Sequence, residues 1–98
     1  MVCYPHGVRF DREYYVKTHL PLARDAYGSH LAGVEMVSIG PSPGGGDPPY
    51  QVITTLRFAD EAAMKAAFAA PEARSVNADV KNFFDGRPVI LFGTVDAS

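Results

Sequence analysis

A chain of 98 residues, 47% apolar and 20% charged, has the composition of one globular domain, 1–98, and not that of a disordered or fibrous protein. The formal net charge is −2 and the basic residues are scattered, which leaves no electrostatic footprint for nucleic acid or an anionic membrane surface. No apolar run approaches the ~20 residues of a membrane helix. Cys3 is the only cysteine, and the opening Met-Val-Cys-Tyr-Pro lacks the basic-then-apolar pattern of a signal peptide, so the expected location is cytoplasmic.

Residues 2–5 read as a very short strand, stopped by Pro5 and the His6-Gly7 turn. Asp11 is a good N-cap, and Phe10 before it can staple onto Tyr15. The helix that follows is predicted to run to about Tyr27 and to end at Gly28 in a left-handed conformation. Pro21 interrupts it and predicts a kink just after His19. At about 100° per residue, Tyr15, His19, Leu22 and Ala26 share a line, with Val16, Leu20, Ala23 and Tyr27 completing an apolar arc. Glu13, Lys17 and Arg24 mark the wet face. His19 therefore lies inside the arc, a titratable imidazole turned toward the core.

Residues 33–40 and 50–58 read as strands rich in β-branched side chains. The Pro-Ser-Pro-Gly-Gly-Gly-Asp-Pro-Pro stretch between them is a flexible hairpin tip; no Lys-Ser/Thr or helix start follows the glycines, as a phosphate cradle would need. Asp60 caps an alanine-rich helix from Glu61 to about Ala69, and Pro71 opens a further helical piece to about Phe84. Residues 88–95 read as a last strand. The order β-α-β-β-α-β is the ferredoxin-like α+β arrangement, an antiparallel sheet with both helices on one face. The last strand carries Val89, Leu91 and Val95 on one side and Ile90, Phe92 and Thr94 on the other, and Ile53 is apolar on the side away from Val52, Leu56 and Phe58. Two helices cover only one face of a sheet, so the apolar second face predicts a homodimer packed sheet to sheet.

Tyr4-Pro5, the run Phe-Asp-x-x-Tyr-Tyr-x-x-x-His-x-Pro-Leu-Ala at 10–23, Pro-Pro-Tyr at 48–50, and Asp79 with Asn82-Phe83 together resemble the EthD family. The resemblance spans nearly the whole chain; its most specific part is Tyr-Tyr-x-x-x-His-x-Pro, and the short first strand departs from it. It implies a dimeric α+β barrel built from ferredoxin-like subunits. Similar barrels include muconolactone-type isomerases, cofactor-free oxygenases of aromatic polyketides, and polyketide cyclases or dehydratases.

The candidate site centres on His19, whose imidazole can act as acid or base near neutral pH and in an apolar setting stays neutral, as a base requires. Tyr15, one turn earlier, can donate to a substrate oxygen or to the ring. Asp79 is placed to orient the imidazole, Asn82 to offer an amide beside Phe83, and Tyr4 and Tyr50 to wall the pocket. The plainer account makes His19 a core residue bonded to a backbone carbonyl or to Asp79, tying two helices, with Tyr15 a packing residue and Phe83, Phe84, Phe68 and Met64 core. His6 and His30 fall in turns. No ligand spacing suggests a metal, nothing in the sequence points to a nucleophilic role for Cys3, which reads as a small apolar group beside the cavity, and no nucleophile elbow is present. Three functions remain open: a cofactor-free isomerase, dehydratase or decarboxylase acting on a small aromatic or lactone-like molecule through His19; a non-catalytic binding or accessory protein of a degradation pathway; and a cofactor-independent monooxygenase. An RNA-binding role lacks an exposed aromatic platform on the strands.

Overall fold

In the computed structural model, which describes residues 1–97, the chain forms a four-stranded antiparallel sheet in the order β2-β3-β1-β4. The strands are β1 (Val2–Pro5), β2 (Leu31–Ser38), β3 (Tyr50–Phe58) and β4 (Val89–Ile90). The helical segments are α1 (Arg12–Tyr14), a π turn (Tyr15–His19), α2 (Leu20–Tyr27), α3 (Glu61–Ala69) and α4 (Ala73–Asp79), with 3₁₀ turns at Gly28–His30 and Val80–Asn82. This is the ferredoxin-like α+β architecture.

Local chemistry accounts for the element ends. Asp11 accepts from the Tyr14 N–H at 3.1 Å and Asp60 from the Ala63 N–H at 2.8 Å, each satisfying an orphan amide of a first turn. Gly28 closes α2 at φ +52°, a conformation that side chains disfavour. Pro71 stands two residues before α4, in a turn closed by the Ala73 N–H on the Ala70 carbonyl.

The interruption expected at Pro21 takes the form of the π turn, in which the Leu20 N–H reaches back to the Tyr15 carbonyl. Counted back from Leu20, an unbroken α-helix would set Val16 at the centre of the apolar arc and Tyr15 at its margin. The widened turn exchanges them: Tyr15 is 1% exposed and Val16 is 50% exposed, so Val16 leaves the predicted core face.

Val2, Tyr4, Val34, Met36, Val52, Thr54, Leu56 and Phe58 line the helix-covered face of the sheet. Tyr4 sits at the centre of an edge-to-face aromatic group with Phe10, Tyr15, Phe83 and Phe84, at ring separations of 5.0–5.7 Å. Around Tyr27 a second cluster joins Ala23, Ala67, Ala73 and Val76, with Phe58 beside it. Phe68, expected in the core, is 38% exposed and lies at its edge against Tyr27, Phe58 and Phe92.

The last strand is far shorter than the predicted 88–95. β4 runs antiparallel to β1, with Val89 opposite Cys3 and Ile90 opposite Val2, and Leu91 exchanges hydrogen bonds with Met1. Among the described residues Phe92 and Val95 have no ladder partner, and both are exposed. On the face away from the helices, Val37, Ile53, Cys3 and Val89 form one cross-strand row. Cys3 therefore belongs to that face and not to the helix side.

A second anchoring ladder holds the loop after α4. Phe10 and Phe84 form a single antiparallel bridge, and the Asp11 N–H donates to the Phe83 carbonyl at 2.8 Å. Gly86 ends this segment where an added Cβ would lie 2.9 Å from Cζ of the buried Phe84 ring. Gly86→Ala is expected to destabilise the protein by about 1–3 kcal/mol, the usual cost of overpacking, measured as a lowered urea midpoint at unchanged slope.

Candidate functional site

The π turn presents His19 toward α4, whose last residue is Asp79. His19 Nδ1 and Asp79 Oδ2 are 2.9 Å apart, joining groups 60 residues apart in sequence. Asp79 Oδ1 accepts two further hydrogen bonds, from the Tyr14 hydroxyl at 2.6 Å and from Asn82 Nδ2 at 2.9 Å. Asn82 lies three residues after Asp79, where the 3₁₀ turn folds its amide back onto the carboxylate. The carboxylate thus gathers three donors from two separate parts of the chain.

Two aromatic rings pack against the imidazole. Tyr15 stacks on it at 5.2 Å and 24°, and Phe83 lies tilted against it at 4.4 Å. The Tyr15 hydroxyl is hydrogen-bonded to that of Thr54, a polar pair sealed beneath the helix. His19 Nε2 makes no hydrogen bond to a described residue, and no side-chain nitrogen or oxygen among the described residues is both sealed from solvent and unpaired. Nε2 is accordingly the one ring nitrogen open to the outside.

Burial lowers the His19 pKa from its ordinary value, and the hydrogen bond and charge of Asp79 oppose that effect without reversing it. The imidazole is neutral at pH 7. For Asp79, partial burial acts to raise the pKa, but the hydrogen bonds from Tyr14, Asn82 and His19 outweigh it and hold the carboxyl below its usual range. The Tyr14 hydroxyl is pushed up by its hydrogen bond to Asp79, and Tyr4 and Tyr15 are pushed up chiefly by burial. The pair at neutral pH is a carboxylate accepting from Nδ1–H, with a lone pair on Nε2.

Of the residues singled out from sequence, His19, Tyr15, Asp79, Asn82 and Phe83 come together. Tyr4 touches Tyr15 and Phe83 but is enclosed in the core. Tyr50 stands half-buried at the start of β3 opposite Pro5 and makes no ring contact with this group among the described residues. Sequence reasoning missed Tyr14 and Thr54. Thr54 was detectable as a hydroxyl in alternation with Val52 and Leu56, whereas nothing local joined Tyr14 to a residue 65 positions away. Beside Tyr14 a shallow surface hollow of about 260 Å³ is lined by Asp11, Glu13, Lys17 and Thr18. Among the described residues, no group of three His, Cys, Asp or Glu converges as a metal site, and no helix is long and apolar enough to cross a membrane.

Residues 8–87 match the EthD domain family. An EthD-like protein from Ralstonia eutropha JMP134 is 25% identical, with a TM-score of 0.87 over 98% of this chain and 88% of that one. An ethyl tert-butyl ether D (EthD) family protein from Bacillus halodurans C-125 shares the fold at 19% identity, with a TM-score of 0.73 over 89% and 91% of the two chains. No curated protein matches the chain.

Two outcomes follow from the geometry. The lowered His19 pKa means that the unfolded chain binds a proton more readily, so this contribution to stability is complete above about pH 6.5 and is lost as pH falls toward the folded value. The thermal midpoint is expected to fall between pH 7 and pH 5, and to fall less in His19→Gln. Thr54→Val strands the buried Tyr15 hydroxyl and is expected to cost about 1–3 kcal/mol in chemical denaturation.

Proposed function

The chain belongs to the EthD family, and on that footing we propose that it is a homodimer that binds a small aromatic or lactone-like molecule and moves a proton on it through His19, without a cofactor. The observation that carries this reading is the His19–Asp79 pair: Nδ1 is committed to a carboxylate, and Nε2 is left as a neutral base at the edge of an aromatic enclosure. An imidazole so held suits removal of a proton next to a carbonyl. The C–H bond breaks, its electron pair moves to the carbonyl oxygen as an enolate, and Nε2 takes the proton. Return of that proton at another carbon gives isomerisation. Its delivery to a leaving hydroxyl gives dehydration. Tyr15 and Phe83 hold the imidazole in place from within the core.

The dimer is supported by the face of the sheet that the helices leave uncovered. Val37, Ile53, Cys3 and Val89 run across all four strands there, with Leu91 opposite Met1 at the margin. Val37, Val89 and Leu91 are 37–48% exposed in the single chain, an apolar row suited to a symmetric sheet-to-sheet contact. A second reading, a non-catalytic binding or accessory protein, is favoured by the depth of His19, whose side chain is only 5% exposed. In that case the pair serves to tie α4 to the first helix.

Light scattering is expected to give twice the chain mass for the wild type and a monomer for Val37→Lys/Val89→Lys; a monomeric wild type removes the dimer. Exchange of the α-protons of a cyclic enol lactone in deuterated buffer, followed by NMR, tests the base. The exchange is expected to be accelerated by the protein and to drop at least 100-fold in His19→Gln. Binding with no acceleration would favour the accessory reading, and oxygen uptake with a polyphenol would favour an oxygenase.

A further inference from the structure

We infer that Tyr14 and Asn82 are positioning residues that set the tautomer of His19: by occupying Asp79 Oδ1 they leave Oδ2 alone to meet the imidazole and keep the ring proton on Nδ1. This rests on the reading of His19 as the base, because only that tautomer puts a lone pair on the open Nε2.

The torsion of an aspartate carboxylate is broad and two-fold, so a carboxylate held by a single partner turns readily about its Cβ–Cγ bond. Asp79 is not held by one partner. Tyr14 Oη approaches from α1 at 2.6 Å and Asn82 Nδ2 from the 3₁₀ turn at 2.9 Å, both on Oδ1, while His19 Nδ1 meets Oδ2 at 2.9 Å. Three donors converging on one carboxylate fix its plane and its charge, since a protonated carboxyl would lose acceptor capacity it needs here. A neutral imidazole in water prefers its proton on Nε2, the opposite of what this site requires. The protein must therefore overcome that preference, and the Asp79 acceptor is the group placed to do so. Tyr14 is also held independently, stacked on Phe83 at 6.3 Å and carried by a turn that Asp11 caps. Asn82 is exposed and lies outside the aromatic core, so nothing in its own packing calls for an amide at that position.

The test is nitrogen-15 NMR of the His19 ring at a pH where it is neutral, in wild type, Tyr14→Phe, Asn82→Ala, the double variant, and Gly28→Ala. Gly28→Ala serves as a control that strains the far end of α2 without touching Asp79. The wild type is expected as the Nδ1–H form. Tyr14→Phe and Asn82→Ala are each expected to raise the Nε2–H population several-fold, and the double variant to exceed either. Gly28→Ala is expected to lower the thermal midpoint and leave the tautomer unchanged. Folded single and double variants with the wild-type tautomer ratio would overturn the inference while leaving the base reading intact. A wild type already in the Nε2–H form would overturn both. A tautomer change in Gly28→Ala matching that in the clamp variants would also overturn the inference, because loosening alone would then account for it.

Discussion

The Asp79 carboxylate is where the two helical segments on the sheet become one unit. α4 and the first helical run are far apart in sequence, and their apolar contact through alanines and Val76 fixes distance better than orientation. Three hydrogen bonds to one carboxylate, from Tyr14, His19 and Asn82, supply the orientation. Charge-assisted bonds of this kind are among the stronger ones, and each requires its donor to stand in a narrow arc. Burial keeps the histidine neutral and the carboxylate orients it, two conditions that neither would give alone.

Around that tie the protein is built from rings. Tyr4, Phe10, Tyr15, Phe83 and Phe84 meet edge to face beneath His19, and the backbone bridge between Phe10 and Phe84 brings the segment after α4 onto the chain entering α1. Ring edges and faces carry opposite partial charge, so the cluster prefers defined angles over mere contact. The result is a stiff support for the imidazole: Phe83 is fully buried, and its carbonyl accepts the Asp11 N–H. The same aspartate whose side chain caps the first helix thus helps to anchor the floor of the site through its backbone.

What could be read from sequence was whatever local chemistry decides. Asp11, Asp60 and Gly28 mark helix ends because caps are matters of a few adjacent residues, and the strands at 50–58 and 2–5 follow from composition and flanking prolines. The convergence of His19, Asp79 and Asn82 was also legible, through the family resemblance and the helical arc. The misses share a cause. A uniform 100° per residue cannot contain a π turn, so Val16 was placed in the apolar arc together with Tyr15, although only Tyr15 is buried. The last strand looked long because its residues are apolar, but apolar character does not make a ladder, and only Val89 and Ile90 pair with β1. Tyr14 escaped because its partner lies across the fold.

The π turn also makes the site depend on the number of residues in the chain as well as their identity. An α-helix tolerates a change of solvent-facing residue anywhere along its wet side, but here one extra residue per turn separates Tyr14 and Tyr15 from Leu20. Removing one residue between Val16 and Thr18 would leave Tyr15 four positions before Leu20, the spacing at which an ordinary α-helix closes the same bond. Adding one there would put Tyr15 six positions before Leu20, beyond the span of a π turn, and would rotate everything before it by about 100° relative to α2, carrying Tyr14 away from Asp79 and Tyr15 away from Thr54. The carboxylate would then lose a donor. At this point in the chain, length is under a stricter constraint than composition.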